Sequence, residues 1–110
     1  MIVEIREYVA VPGRLPAIVD LFSNHTARMF ERYGVELISA GHTVIGENSF
    51  GELVYSLRFN DLAELDLKWG GQVTSDPEWQ DAFAAAEQDG PLIGTMRRRV
   101  IDDTPFQARR

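Results

Sequence analysis

The chain reads as an α+β domain in which helices cover one face of a four-stranded antiparallel sheet, in the order βαββααβ. Three observations carry this reading. Four segments alternate with the two-residue period of a strand, and three others repeat with the 3.6-residue period of a helix. The joints between them hold the Gly, Pro and Asp residues that stop one kind of element and start the next.

Ile2 to Val11 is the first strand. Val3, Ile5, Glu7, Val9 and Val11 form one set and Ile2, Glu4, Arg6 and Tyr8 the other, until Pro12-Gly13 ends the alternation. From Arg14 the period lengthens. Leu15, Ile18, Val19, Phe22, Thr26, Met29, Phe30 and Tyr33 fall on one helical stripe. Pro16 is tolerated in a first turn, where its missing N–H has no partner to lose, and Gly34 supplies the stop. Val35 to Ile45 is a second strand with Gly41 weakening its middle, Gly46 to Gly51 a turn, and Leu53 to Phe59 a third strand. A short loop between two strands makes them an antiparallel hairpin. Asp61 with Glu64 opens a short helix bearing Leu62, Leu65 and Trp69, which Gly70-Gly71 is expected to break. Asp76-Pro77-Glu78 opens another: a capping carboxylate, Pro at the first helical position and an acid in the first turn. Its apolar face is Trp79, Ala82, Phe83 and Ala86, and Gly90-Pro91 ends it. Leu92 to Ile101 is the last strand, and residues from Asp102 onward form a tail.

The 110 residues suffice for one domain, residues 1–110, with one core. A hydrophobic fraction of 45% and a charged fraction of 25% are those of a globular chain. The formal charge of -6 disfavours nucleic acid or an anionic membrane as partner, since such binders cluster Lys and Arg to displace counterions. Arg97-Arg98-Arg99 splits between two faces of a strand, and the only other basic run is Arg109-Arg110. The absence of cysteine removes disulfides, thiolate-bound metals and thiol catalysis together. No apolar stretch approaches the roughly 18–20 residues that span a bilayer. The charged first strand is unlike a secretory signal, so a cytoplasmic address is the default expectation.

This element order is that of a ferredoxin-like domain, and helices on one side leave the other sheet face bare. Four strands about 20 Å long and about 4.8 Å apart present roughly 400 Å² of face. That is as large as the biggest apolar patch a monomer ordinarily tolerates, about 300–600 Å². Ile2, Glu4, Arg6 and Tyr8, with Tyr55 and Leu57 beside them, are assigned to this bare face, and a second copy of the chain is expected to cover it. Phe106 would anchor an exchanged tail.

Glu4, Arg6 and Tyr8 share one face of one strand, with His42, Arg97 or Arg99 as cross-strand neighbours. A carboxylate, a guanidinium and a phenol converging in a partly enclosed space can hold a polar ligand or steer a proton. They can equally form a structural ion pair at an interface. The candidate cavity residues are therefore Glu4, Arg6, Tyr8, His42 and Tyr55. His25 stands beside the apolar stripe of the long helix, where hydrogen bonding at the core edge is the simpler role than haem or metal ligation. Two histidines without His-x-His or HExxH spacing predict no metal site. Trp69 and Trp79, at helical spacing, are expected to pack in the core. No GxSxG or phosphate loop is present, and no cofactor is implied.

Several of these features together resemble the NIPSNAP family: the opening Met-Ile-Val-Glu-Ile-Arg-Glu-Tyr with Pro12-Gly13, the long helix to Tyr33-Gly34, and Leu62-Ala63-Glu64. The Asp76-Pro77-Glu78-Trp79-Gln80 box and the closing Thr104-Pro105-Phe106 complete the pattern. The resemblance implies a dimeric α/β barrel, in which two ferredoxin-like sheets face one another around a cavity, and no settled activity. The function expected from it is a homodimer that binds a small molecule between the two sheets. The competing expectation is a cofactor-independent monooxygenase or isomerase acting on an aromatic or polyketide-like substrate, with His42 or Tyr8 moving the proton. A protein-interaction adaptor rests only on the family's animal members.

Overall fold

The computed structural model describes residues 1–107, and the basic pair Arg109-Arg110 lies outside them. Strand β1 spans Ile2–Ala10, β2 Glu36–His42, β3 Glu52–Phe59 and β4 Ile93–Asp102. All neighbours are antiparallel, in the spatial order β2-β3-β1-β4. The long helix α1 runs without a break but not with one pitch. It is α-helical over Leu15–Leu21, π-helical over Phe22–Thr26 and α-helical again over Ala27–Tyr33. Helix α2 is α-helical over Leu62–Leu65 and π-helical over Asp66–Val73, α3 spans Pro77–Ala86, and a short α4 spans Thr104–Gln107. The βαββααβ order and the four-stranded antiparallel sheet of a ferredoxin-like α+β fold are therefore present, with the tail added as one helical turn.

The local signals act as chemistry predicts. Gly34 takes φ +67°, and the amides of Gly34 and Val35 turn back to the carbonyls of Glu31 and Phe30 (3.4 and 2.8 Å), which closes α1. Asp61 accepts the amide of Glu64 at 2.8 Å, and Asp76 accepts that of Glu78 at 2.8 Å. Gly70-Gly71 does not break α2. The helix continues through both glycines by widening its turns, and the hydroxyls of Thr74 and Ser75 donate to the Gly70 carbonyl that the wider pitch frees. Strand β2 is shorter than its β-branched run. Its register slips between Leu37 and Ser39, and Thr43 to Ile45 leave the ladder for the turn.

The face assignment is reversed. Glu4 opposes Leu57, Arg6 opposes Tyr55 and Tyr8 opposes Leu53 across β1 and β3. Directly paired residues of antiparallel strands point to the same side, and Leu53, Tyr55, Leu57 and Phe59 are buried in one core with Phe22, Met29 and Phe30 of α1. Ile2, Glu4, Arg6 and Tyr8 thus face the helices. The bare face carries Val3, Ile5, Val9, Val54 and Ile101, with Glu7, Arg58, Arg97 and Arg99 among them. Along its thinnest axis the chain measures 18 Å, which leaves room for one sheet and one helical layer. The sequence misleads here because the β1 set that faces solvent is the more apolar one. Mutual pairing, not hydrophobicity, holds the other set inside.

Candidate functional site

Helices α1, α2 and α3 do not close completely on the centre of the sheet. Between them lies a cavity of about 210 Å³. Its walls are apolar: Leu21 and Phe22 of α1, Trp79 and Phe83 of α3, and Leu92 leading into β4. At one end stand Arg6, Tyr8, Tyr55 and Trp69, and at the rim Met96 is 45% exposed. The two π-helical turns border the same space. They bring Phe22 and Thr26 to it from one side and Trp69 from the other, and such turns recur where a helix must aim side chains at a site.

Arg6 organises the polar end. It is 6% exposed, and its Nε donates to the Tyr8 hydroxyl at 2.9 Å while Nη1 donates to Glu4 Oε2 at 3.2 Å. The Trp69 ring lies 4.5 Å from its guanidinium carbon and the Tyr8 ring 5.5 Å, both in cation–π range. The Tyr8 and Tyr55 hydroxyls are hydrogen-bonded at 2.8 Å. Burial favours the neutral phenol of Tyr55 and pushes its pKa well above 10. For Arg6 burial opposes the charge, but the oxygens of Tyr55, Tyr8 and Glu4 outweigh it, so the pKa rises and the group stays cationic.

Glu4 is fully buried beneath this end. Its Oε2 takes both Arg6 and Arg98 of β4, and its Oε1 is buried with no hydrogen-bond partner among the described residues. The arginine run splits between faces as its alternation requires, and the member that reaches this side is Arg98, opposite Arg6. Arg97 instead pairs with Glu7 at 2.7 Å on the bare face, and Arg99 opposes Ile5 there.

Of the five candidate residues, Arg6, Tyr8 and Tyr55 line the cavity and Glu4 supports Arg6 from below. His42 is not with them. It is exposed at the end of edge strand β2, opposite Leu53, with its ring 5.5 Å from that of Phe50. His25 is half-buried between α1 and α3 and forms no hydrogen bond among the described residues. Trp69 is more than a core residue, since it caps Arg6. Trp79 is fastened by its indole N–H to Thr26 Oγ1 at 3.1 Å. Helical spacing places both tryptophans on an inward stripe, but only the packed helices show that the stripe meets a guanidinium and a void. Among the described residues no group of three or more His, Cys, Asp or Glu side chains is arranged to hold a metal ion.

An α+β domain of ferredoxin-like topology, with a part-buried cavity between its helices and one polar corner on its sheet, is the class that this geometry defines. The NIPSNAP family model matches residues 3–108, and the chain belongs to that family. Among solved structures it is similar to a NIPSNAP-like domain protein from Burkholderia xenovorans, with 23% identity, 92% of this chain and 83% of that one covered, and a TM-score of 0.77. A NIPSNAP family protein from Agrobacterium tumefaciens matches at 21% identity, 92% and 90% coverage and a TM-score of 0.77. A Chloroflexus aurantiacus protein named for antibiotic biosynthesis monooxygenases shares the fold at 16% identity, 91% and 89% coverage and a TM-score of 0.58. No curated protein matches the chain.

Proposed function

We propose that this NIPSNAP protein is a homodimer that holds one small, largely apolar molecule per chain in the cavity between its helices and its sheet. The single observation that supports this is a pre-formed, largely apolar space of about 210 Å³ in which one linked polar group, Arg6, Tyr8 and Tyr55, is exposed to the cavity, the usual build of a small-molecule site. Glu4, Arg6, Tyr8 and Tyr55 face the helices, so the ligand site lies within each chain rather than between two facing sheets. The homodimer rests on the bare β-face, which carries Ile5, Val9, Val54 and Ile101 with no layer over it among the described residues.

The experiment is ligand-observed saturation-transfer NMR with toluene as the probe. Saturation should pass from the wild-type protein to the toluene protons and disappear in Met96→Trp, which narrows the rim. Absence of transfer at millimolar toluene, or equal transfer to both proteins, would reject the cavity as the site.

The monooxygenase or isomerase reading draws on the Chloroflexus aurantiacus neighbour, which is alike in fold alone. Of its two proton carriers, Tyr8 lines the cavity and His42 does not. The ligand-binding reading needs neither to react.

A further inference from the structure

We infer that the cavity selects a compact hydrophobic anion, a one-ring carboxylate or an equally acidic oxygen group, with its charge against Arg6, Tyr8 and Tyr55. This deepens the ligand-binding reading above and rests on it.

The first argument is a count of donors. Nε and Nη1 of Arg6 are engaged, but Nη2 has no hydrogen-bond partner among the described residues, and Arg6 lines the cavity. The two tyrosines own two hydroxyl protons, and the bond between them uses one. Whichever phenol donates, the other keeps a proton, and among the described residues that proton has no acceptor. The polar end therefore offers an N–H and an O–H, both able to serve an incoming oxygen. A ligand that only donates would leave both unanswered.

The second argument is charge. Arg6 and Arg98 share the single carboxylate of Glu4, so the trio carries one net positive charge. Arg6 is withdrawn from water, where an opposite charge is felt most strongly. Arg98 is half-exposed and can be served by solvent, which leaves Arg6 as the cation that faces the void. The elevated Tyr55 pKa keeps that phenol a donor throughout the physiological range.

The third argument is the body of the ligand. The rest of the wall includes Phe22, Trp79, Phe83 and Leu92, three rings and an aliphatic side chain that carry no charge. The volume of about 210 Å³ is somewhat larger than the apolar cavity of about 150 Å³ that takes up benzene in another protein, which is the scale of one substituted ring.

Isothermal titration with benzoate and its neutral isostere benzamide at pH 7 tests the inference. Benzoate should bind about tenfold tighter than benzamide, Met96→Trp should abolish benzoate binding, and Tyr8→Phe, which leaves the Glu4–Arg6 pair intact, should weaken it several-fold. Arg6→Gln, checked for folding by near-ultraviolet circular dichroism, should level the two affinities. If that variant does not fold, Tyr8→Phe and the ligand pair still decide. Equal affinities of wild type for benzoate and benzamide would overturn the anion while leaving the cavity reading intact. Failure of benzoate, benzamide and toluene alike would overturn both.

Discussion

Glu4 has the least room to change of any residue at the site. It is a fully buried carboxylate with two guanidiniums on one oxygen and, among the described residues, none on the other. Desolvating charges is expensive, and removing one member of a buried pair strands the rest, at a typical cost of about 3–5 kcal/mol. Glu4→Gln leaves Arg6 charged and buried. It should lower stability by about 3 kcal/mol in urea unfolding. Replacing both members, Glu4→Leu with Arg6→Met, removes the charges together and should recover most of that loss. A double variant as unstable as Glu4→Gln would show that the pair is valued for its shape rather than its charge. Arg6, Tyr8 and Tyr55 were candidates from residue type and alternation alone. Arg98, Trp69 and Thr26 were not, because each reaches the site through a register or a helix pitch that residue type does not reveal.

At the scale of elements, the π-helical part of α2 accounts for the misread glycines. Gly70 has an ordinary negative-φ backbone, and the nearest atom to a Cβ built there is Asp66 Oδ1 at 3.9 Å. No strain or close approach requires glycine at this position. Gly70→Ala should therefore stabilise the protein by about 0.4–1 kcal/mol, chiefly by restricting the unfolded chain. A lower denaturation midpoint would mean that the wide turn itself needs the glycine.

The start of α3 is tied to α1 by Asp76, which caps its own helix and also accepts Arg32 at 2.9 Å and the Tyr33 hydroxyl at 2.5 Å. The Tyr33 hydrogen bond, joined by the Glu78 amide and Arg32, lowers the Asp76 pKa below its ordinary 3.8. A depressed carboxylate contributes stability that is complete above its unfolded pKa and is lost as pH falls through the folded one. Asp76→Ser keeps a cap but loses both partners from α1. The gap in melting temperature between wild type and this variant should be widest near neutrality and shrink as pH falls below about 4. A gap that does not change with pH would show that capping, not the charge, joins α3 to α1.

At the scale of the molecule, one sheet face has nothing over it among the described residues. The proposed homodimer predicts sedimentation at twice the 12.4 kDa of one chain. Val54 lies near the middle of that face and is half-buried, so Val54→Lys should give a single-chain species that keeps its fold. A wild-type protein that remains one chain at micromolar concentration would end the dimer proposal. Within the chain the Asp103 amide reaches the Met1 carbonyl at 3.3 Å, and Phe106 is left 69% exposed.

Period, caps and stops lie within a few residues of one another along the chain. The order of the four strands and three longer helices, the closing turn at Gly34, and the starts at Asp61 and Asp76 were therefore legible before any folding. Which face of β1 turns inward was not. Its two alternating sets are both part apolar, and the set with more valine and isoleucine faces out. Only the tertiary structure decided that Glu4, Arg6 and Tyr8 belong beneath the helices. The groups that make their burial affordable, Tyr55, Arg98 and Trp69, arrive from other strands and helices, and a buried charge is stable only once such partners have met around it.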